Sequence, residues 1–254
     1  MLLRGIPMLM KTKALVLRDV SYKESDRILT LLTQDRGKMS ASARGSRKKG
    51  SPIAAGTQLL CWSELVLYEY RGRWSVKEAA VERQFRGVRR DLERFALGCY
   101  FAETAQTLAL EDLPAPDLLS LLLNSLHVLD KKPELPLPLV KTVFEWRCMC
   151  AAGYEPQVEA CARCGAPEPE QPRFHPLEGL LYCKACRPEE DSAPLSPAAL
   201  AALRRIVCAD PKKLFSFRLD GASLHQLEAL SERYLLLQLD RGFGTLDFYK
   251  QLSI

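Results

Sequence analysis

Two pairs of cysteines limit what this chain can fold into more than any other feature of its sequence. Cys161 and Cys164 form one C-x2-C pair, and after 18 intervening residues Cys183 and Cys186 form a second. Each pair can present two thiolates from a tight turn, and four thiolates in a tetrahedron are a donor set that Zn²⁺ binds well. The spacing therefore predicts that both turns meet at one structural zinc ion, with all four cysteines as its ligands.

The residues around these cysteines favour a structural metal over the alternatives. The segment between the pairs is too polar and proline-rich to fold alone, so we predict a metal-stabilised insertion over residues 155–192. A catalytic zinc needs an open coordination position, which four cysteines do not leave. A redox dithiol would account for one pair but not for two. His175 could replace a cysteine, but it has no partner at a suitable spacing and is expected at the surface.

The first 85 residues have the pattern of short β-strands. Residues 37–44 alternate between apolar and polar side chains, which predicts a strand with one buried and one solvated face. The glycine of "RGR" between two strand-like runs indicates a hairpin. Five such strands predict a small barrel, because closure removes exposed sheet edges. The predicted strands cover residues 11–20, 26–33, 37–44, 57–70 and 74–82, after a loose leader over residues 1–9.

Helical patterns replace the strand patterns near residue 90. Apolar side chains at helical spacing predict helices over residues 91–110, 115–132, 138–154 and 222–240. A further helix is expected to begin at Ser196, because a serine N-cap followed by proline is a typical helix start. The fold class is therefore α+β. We predict a barrel domain over residues 1–84 and a helical domain over residues 85–254, interrupted by the insertion over residues 155–192.

Positive charge is concentrated in the first third of the chain. Residues 1–90 hold 19 Lys and Arg against 8 Asp and Glu, a net charge of +11, whereas residues 91–254 carry −6. The segment "ARGSRKKGS" (residues 43–51) contributes four of these cations and no acid, and we expect it to be a flexible, exposed loop. A small barrel with a cationic groove suits the phosphate backbone of nucleic acid.

Ten cations of the barrel and its loop are the candidate phosphate ligands. They are Arg36, Lys38, Arg44, Arg47, Lys48, Lys49, Lys11, Lys13, Arg71 and Arg73. Tyr70 and Trp74 lie beside arginines at the end of the predicted hairpin and are candidates for base stacking, with the barrel core as the other interpretation. For Trp62, a position in the barrel core is at least as good an interpretation as base stacking. No helix carries side chains at base-reading spacing, so binding without sequence preference is expected.

The sequence contains no recognisable catalytic constellation. Its three histidines are far apart, and the metalloprotease, phosphate-loop and nucleophile-elbow motifs are absent. We therefore expect a binding protein and not an enzyme. No apolar run approaches the length of about 18 residues that a membrane helix needs. Because no export signal is recognisable either, we expect a cytoplasmic protein.

Several stretches of the chain resemble the RecO family of bacterial recombination mediators. They are "YKESDRI" at residues 22–28, "TQDRGK" at residues 33–38 and "ARGSR" at residues 43–47, and the cysteine pairs and the ending "RYLLLQLDRGFGTLDFYKQL" match as well. The resemblance extends over almost the whole chain from Met10 onward. It implies an N-terminal OB fold, a helical C-terminal domain and a zinc-binding insertion.

The resemblance also implies a function in DNA repair and a set of partners. Members of the family bind single- and double-stranded DNA, anneal complementary strands, and work with RecR to load RecA. Some members also contact the single-stranded DNA-binding protein, SSB, through its acidic C-terminal tail. In this chain we expect that tail near four cations of the helical domain, Arg204, Arg205, Lys212 and Lys213.

Two other functions remain open from the residues alone. The first is a zinc-ribbon module that binds RNA in translation or RNA metabolism, because a lysine contacts RNA and DNA backbones alike. The second is an enzyme, such as a nuclease, whose site has no recognisable motif.

Overall fold

The computed structural model describes residues 8–187 and 191–252. Its contacts divide the chain into two compact units, one containing residues up to 122 together with those from 243 onward, and the other containing residues 123–242. The barrel, the first helices and the last helix fall in the first unit.

The first unit contains a closed five-stranded barrel. Its strands are β1 (Met8–Tyr22), β2 (Asp26–Thr33), β3 (Gly37–Ala43), β4 (Trp62–Tyr70) and β5 (Arg73–Arg83). They close in the order β1-β2-β3-β5-β4, and every pairing is antiparallel except the short parallel contact of β3 with β5. A small five-stranded barrel of this kind is an OB fold, which confirms the expected class.

Alternation along the strands builds the barrel core. In β3 the side chains of Met39, Ala41 and Ala43 point inward and are buried, while Ser40 between them is exposed. The inward residues of the other strands join them, including Leu29, Leu31, Leu65 and Leu67. The period-two pattern of the sequence therefore defines the inner face.

The loose leader expected over residues 1–9 was wrong for its last two residues. Met8 and Leu9 already belong to β1, where they pair with Glu69 and Tyr68 of β4. The strand extends this far because β4 is long enough to offer hydrogen-bond partners along its whole length. Residues 1–7 lie outside the described residues.

Three helices complete the first unit: α1 (Arg86–Arg90), α2 (Leu92–Leu108) and α7 (Gly244–Leu252). Helix α2 begins at Asp91, whose carboxylate accepts a hydrogen bond from the N–H of Arg94, and it packs against both α7 and β1. The rings of Tyr100 and Phe243 meet edge to face with centroids 5.7 Å apart. Helix α3 (Pro116–Lys131) contains the boundary between the two units.

The second unit is formed around three helices that pack on one another: α4 (Leu137–Ala151), α5 (Pro197–Cys208) and α6 (Gly221–Leu239). The predicted caps are present. The Ser196 hydroxyl accepts a hydrogen bond from the N–H of Ala199 at 3.1 Å, and α4 is followed by Gly153 with a φ of 87°.

The insertion between α4 and α5 contains a small antiparallel sheet made of β6 (Arg173–His175), β7 (Leu180–Tyr182) and β8 (Ala193–Pro194). Three aromatic rings attach it to the helices. Phe174 of β6 meets Trp146 of α4 at 5.5 Å and Tyr234 of α6 at 5.6 Å between ring centroids, and Trp146 stacks on Tyr234 at 5.1 Å. The insertion is therefore anchored by an apolar cluster as well as by its cysteines.

Candidate nucleic-acid interface and metal centre

A groove of about 1300 Å³ runs across the barrel. It is lined by residues of β2, β3, β5 and the end of β4, together with the turn between β1 and β2 and the turn between β4 and β5. This is the face on which OB folds bind oligonucleotides and oligosaccharides. The groove brings together five of the predicted residues, namely Arg44, Tyr70, Arg71, Arg73 and Trp74.

The groove has a strong excess of positive charge. Five cations line it: Lys23, Arg44, Arg71, Arg73 and Lys77. Within the described part of the chain, none of the five has an acidic partner within ion-pair distance. A surface with unpaired cations attracts a polyanion more strongly than one whose cations are already neutralised.

Aromatic rings lie among these cations. Lys23 lies over the ring of Tyr22 at 5.5 Å, Arg71 over Tyr70 at 5.1 Å, and Lys77 over Tyr68 at 4.8 Å. Tyr22 is 50% exposed and Tyr70 45% exposed, so both rings are accessible for stacking. Cations beside exposed rings can bind phosphate and base together.

The two tryptophans of the barrel, Trp62 and Trp74, occupy different environments. Trp74 is half-buried against the barrel core and also lines the groove. Trp62 lies on the outer face of β4, because the buried residues of that strand are Ser63, Leu65 and Leu67. The core interpretation was therefore wrong for Trp62 and holds in part for Trp74.

Four of the predicted phosphate ligands have partners within the protein. Lys11 pairs with Glu64 at 2.8 Å, and Lys13 pairs with Glu82 at 3.0 Å. A hydrogen bond to the Glu64 carboxylate raises the pKa of Lys11.

The other two cations of this set lie near the loop that follows α2. Arg36 pairs with Asp112 at 2.9 Å, and Lys38 donates a hydrogen bond from Nζ to the carbonyl of Gln106 at 3.0 Å. None of the four lines the groove. Arg36 nevertheless lies over the Trp74 ring at 5.5 Å, so it is close to the groove edge.

The basic segment is folded, and the expected flexible loop was wrong. The N–H of Gly45 donates to the Asp26 carboxylate at 2.7 Å, and the N–H of Arg47 donates to the carbonyl of Ser25 at 2.9 Å. Further along, Ile53 is buried in the barrel core. The side chains of Arg44, Arg47, Lys48 and Lys49 remain exposed on this ordered segment, which we call the basic turn.

Four further groove residues lie outside the set of predicted site residues: Tyr22, Lys23, Tyr68 and Lys77. For two of them the sequence carried a usable signal. Lys77 shares strand parity with Arg73 in β5, and Tyr68 shares parity with Tyr70 in β4. The period-two pattern thus groups Tyr68 with Tyr70 as an aromatic available for stacking, and extending it from Arg73 would have found Lys77.

The four predicted cysteines converge in the insertion. Their Sγ atoms all lie within 4.8 Å of one another, and Cys164 and Cys183 are 3.7 Å apart between Sγ atoms. Four sulfurs at about 2.3 Å from a tetrahedral Zn²⁺ would be about 3.8 Å apart. The donor set therefore fits a thiophilic divalent metal.

Backbone hydrogen bonds form the two turns that carry the cysteines. The N–H of Gly165 donates to the carbonyl of Cys161 at 2.8 Å, which closes the first turn, and Gly165 has a φ of 73° that favours glycine. In the second turn the N–H of Cys186 donates to the carbonyl of Cys183 at 3.1 Å. Arg163 links the two turns by donating to the carbonyl of Cys186 at 2.8 Å.

The thiols of the cluster differ in their pKa values. Burial disfavours the Cys161 thiolate, but the backbone N–H groups of Cys164, Cys183 and Arg163 stabilise it more strongly, so its pKa is lowered to about 6. A hydrogen bond with the Cys164 thiol, together with burial, raises the pKa of Cys186 to about 12. One thiolate is therefore available at neutral pH, and a bound divalent cation would favour ionisation of the others.

His175 is a further correction to the sequence interpretation. It was expected at the surface, but it is only 3% exposed. Its Nδ1 accepts a hydrogen bond from the N–H of Glu178 at 3.1 Å, and its Nε2 lies 3.1 Å from a guanidinium nitrogen of Arg187. The ring supports the turn between β6 and β7 and does not belong to the cysteine cluster.

Fold and sites together define a class of protein: an OB-fold barrel with a cationic groove, followed by a helical region that carries a four-cysteine cluster able to hold a metal ion. The family model described as "Recombination protein O N terminal" matches residues 8–85, and "Recombination protein O C terminal" matches residues 89–247. This chain therefore belongs to the RecO family of DNA repair proteins.

Curated relatives agree with this assignment. The chain is 36% identical to the "DNA repair protein RecO" of Acetivibrio thermocellus over 245 residues, which cover 96% of this chain and 97% of the relative. It is 37% identical to the protein of the same description from Heliobacterium modesticaldum, over 87% of this chain and 82% of the relative. In the described residues, no helix combines the length and the apolar character that crossing a membrane requires.

Proposed function

We propose that this protein is a DNA-binding recombination mediator that binds single- and double-stranded DNA without sequence preference and anneals complementary strands. The observation that carries the proposal is the groove, where five cations with no acidic partner among the described residues surround exposed tyrosines on an OB barrel. The cations would contact phosphates, which carry no sequence information, and the rings would stack on bases.

Annealing follows from the same charges. Two complementary strands repel each other as they approach, and this repulsion is a barrier that cations lower. The ordered turn with Arg44, Arg47, Lys48 and Lys49 extends the positive surface beyond the groove. A second strand could therefore approach a strand already held in the groove. The reaction needs no nucleotide hydrolysis, and the proposed function is not enzymatic.

The four-cysteine cluster is proposed to hold one structural zinc ion. Zinc bound by thiolates supplies folding free energy to small polar segments of this kind. Arg204 supports the same region, because it donates to the carbonyls of Val158 and Glu159 and pairs with Glu168. We therefore assign Arg204 to holding the insertion against α5.

The proposed partners follow from membership of the family. We propose that the protein acts with RecR to load RecA onto single-stranded DNA coated with SSB, in the cytoplasm near the nucleoid. Of the four cations expected to receive the acidic SSB tail, Arg204 is occupied as described above. Arg205 lies against Ser216 and Phe217, and Lys212 and Lys213 are exposed on a 3-10 helix (Pro211–Lys213), so these three are the better candidates.

Two double variants of equal charge test the groove directly. Lys23→Ala with Lys77→Ala removes two groove cations, whereas Lys11→Ala with Lys13→Ala removes two lysines that are ion-paired outside it. Two lost phosphate contacts correspond to a weakening of about 25-fold near 100 mM salt for single-stranded DNA. We expect this loss by fluorescence anisotropy for the first variant only. Equal losses in both would show that net charge, and not the groove, determines binding.

A second experiment tests the function beyond binding. Annealing of complementary oligonucleotides is followed by fluorescence quenching, with bare strands and with strands coated by the cognate SSB. We expect acceleration in both cases, and reduced acceleration by the Lys23 and Lys77 double variant. Competition with RNA of matched sequence separates this function from RNA binding, and an RNA preference would contradict the proposal. Site-specific cleavage of labelled DNA in Mg²⁺ or Mn²⁺ would contradict the non-enzymatic assignment.

A further inference from the structure

Among the described residues that line the groove, Asp26 alone is acidic. A carboxylate in a phosphate-binding groove opposes binding unless it does something else. Asp26 is half-buried, and Oδ1 accepts a hydrogen bond of 2.7 Å from the N–H of Gly45 and one of 3.3 Å from the Ser25 hydroxyl. Its charge is thus directed at the backbone of the basic turn and away from the cationic side chains.

This hydrogen bond continues the pairing of β2 and β3 beyond the last pair of residues. The final pair in the ladder is Arg27 with Ala43, so Asp26 stands at the point where the two strands separate. The N–H of Arg47 donates to the carbonyl of Ser25 at 2.9 Å, and this second bond holds the same turn. Without the two bonds, residues 44–48 would have no attachment to the turn between β1 and β2 among the hydrogen bonds of the described residues.

The bonded turn determines where its cations lie. Gly45 has a φ of 66°, which turns the chain back toward β2, and Arg44 beside it lines the groove. The Lys48 side chain lies across Gly45, with Cδ 3.6 Å from the position that a Cβ would occupy there. A shift of the Gly45 N–H would therefore displace both Arg44 and Lys48.

We propose that Asp26 is a positioning residue for DNA binding: its carboxylate fixes the Gly45 turn so that Arg44 and Lys48 face the phosphate backbone. The inference rests on the proposed function and adds a residue that acts through Arg44 and Lys48. It predicts that removing the Asp26 carboxylate changes DNA affinity in the direction opposite to that expected from simple electrostatics. Removing a negative charge from a cationic groove should strengthen binding, whereas loss of the turn's attachment should weaken it.

Three single variants separate these two effects. Asp26→Ala removes both the charge and the hydrogen-bond acceptor. Asp26→Asn removes the charge but keeps a side-chain oxygen that can accept from Gly45. Glu24→Ala removes a carboxylate from the same turn, at an exposed position that forms no hydrogen bond in the described part of the chain.

The measurement is a salt titration of single-stranded DNA binding by anisotropy, with thermal melting to establish that each variant is folded. We expect Asp26→Ala to weaken binding about 2- to 10-fold, as for one lost hydrogen bond, and to flatten the log–log salt slope by about 0.7, as for one lost phosphate contact. Asp26→Asn and Glu24→Ala should bind at least as tightly as the unchanged protein.

The outcomes distinguish this inference from the proposed function. If the unchanged protein binds DNA and folded Asp26→Ala binds equally or more tightly, the positioning role is refuted while the proposed function stands. A loss of affinity in Asp26→Asn as large as in Asp26→Ala would also refute it, because the acceptor would then not be what matters. If the unchanged protein does not bind DNA, the proposed function itself fails.

Discussion

The salt dependence of DNA binding offers a quantitative test of the groove. Each phosphate neutralised on single-stranded DNA contributes about 0.7 to the slope of log affinity against log salt, so five groove cations predict a slope of about −3.5. Arg71→Ala with Arg73→Ala leaves three cations and a slope of about −2.1. Between 50 and 200 mM salt, affinity should therefore fall about 130-fold for the unchanged protein and about 18-fold for the variant.

The substitutions suit this test because both side chains are exposed at the turn between β4 and β5 and the barrel core lies elsewhere. Fluorescence anisotropy with a labelled oligothymidine gives the affinity at each salt concentration. Arg71→Lys with Arg73→Lys is the matched control, since it keeps both charges and should keep the slope while losing contacts specific to the guanidinium. A slope that stays near −3.5 in the alanine variant would refute the assignment of these two arginines to phosphate.

Three further perturbations probe other parts of the structure. Asp112→Asn should raise DNA affinity about 1.5- to 5-fold, because it frees Arg36 from an exposed ion pair; the gain should disappear in a protein that also carries Arg36→Ala, and a gain that persists would show another cause. Cys161→Ser with Cys164→Ser should release the metal, measured by atomic emission, and lower the melting temperature, while DNA binding by the barrel survives; stoichiometric zinc in this variant would show that the ligands are misassigned. Alanine at all four cations of the basic turn should weaken binding and flatten its salt dependence in a folded protein, and unchanged affinity would exclude the turn from the interface; these residues are Arg44, Arg47, Lys48 and Lys49.

Local patterns in the sequence were sufficient to predict the barrel and the four-cysteine cluster. The alternation of Met39, Ala41 and Ala43 sets the inner face of β3, and the interior of the barrel follows the same period in the other strands. The C-x2-C spacing predicted the convergence of four thiols because each pair closes its own turn within a few residues. Both signals depend on residues close together in the chain.

The ion pairs of the predicted ligands outside the groove join residues far apart in the chain. Lys11 is paired with Glu64 and Lys13 with Glu82 through strand registers that no local pattern reveals. Likewise, Arg36 meets Asp112, which follows it by 76 residues.

The folded conformation of the basic turn also depends on a residue that is distant in the chain. Its composition suggested flexibility, but the Gly45 N–H donates to Asp26 at the start of β2, 19 residues earlier in the chain. Prediction of the helical part of the chain is limited in the same way by contacts between distant residues. Glycine and proline positions indicated the ends of its helices, whereas the packing of α7 beside α2 in the first unit depends on contacts such as that of Tyr100 with Phe243.

The most direct test of the account maps the DNA onto the protein by NMR. Backbone amide shifts are recorded with and without a short oligothymidine at low salt. We expect the largest changes in the turn between β1 and β2, just after β3, and in β5, including Lys23, Arg44, Arg73 and Lys77, with little change around Lys13. Changes concentrated outside the groove, or no changes at all, would contradict the claim that this face of the barrel binds DNA.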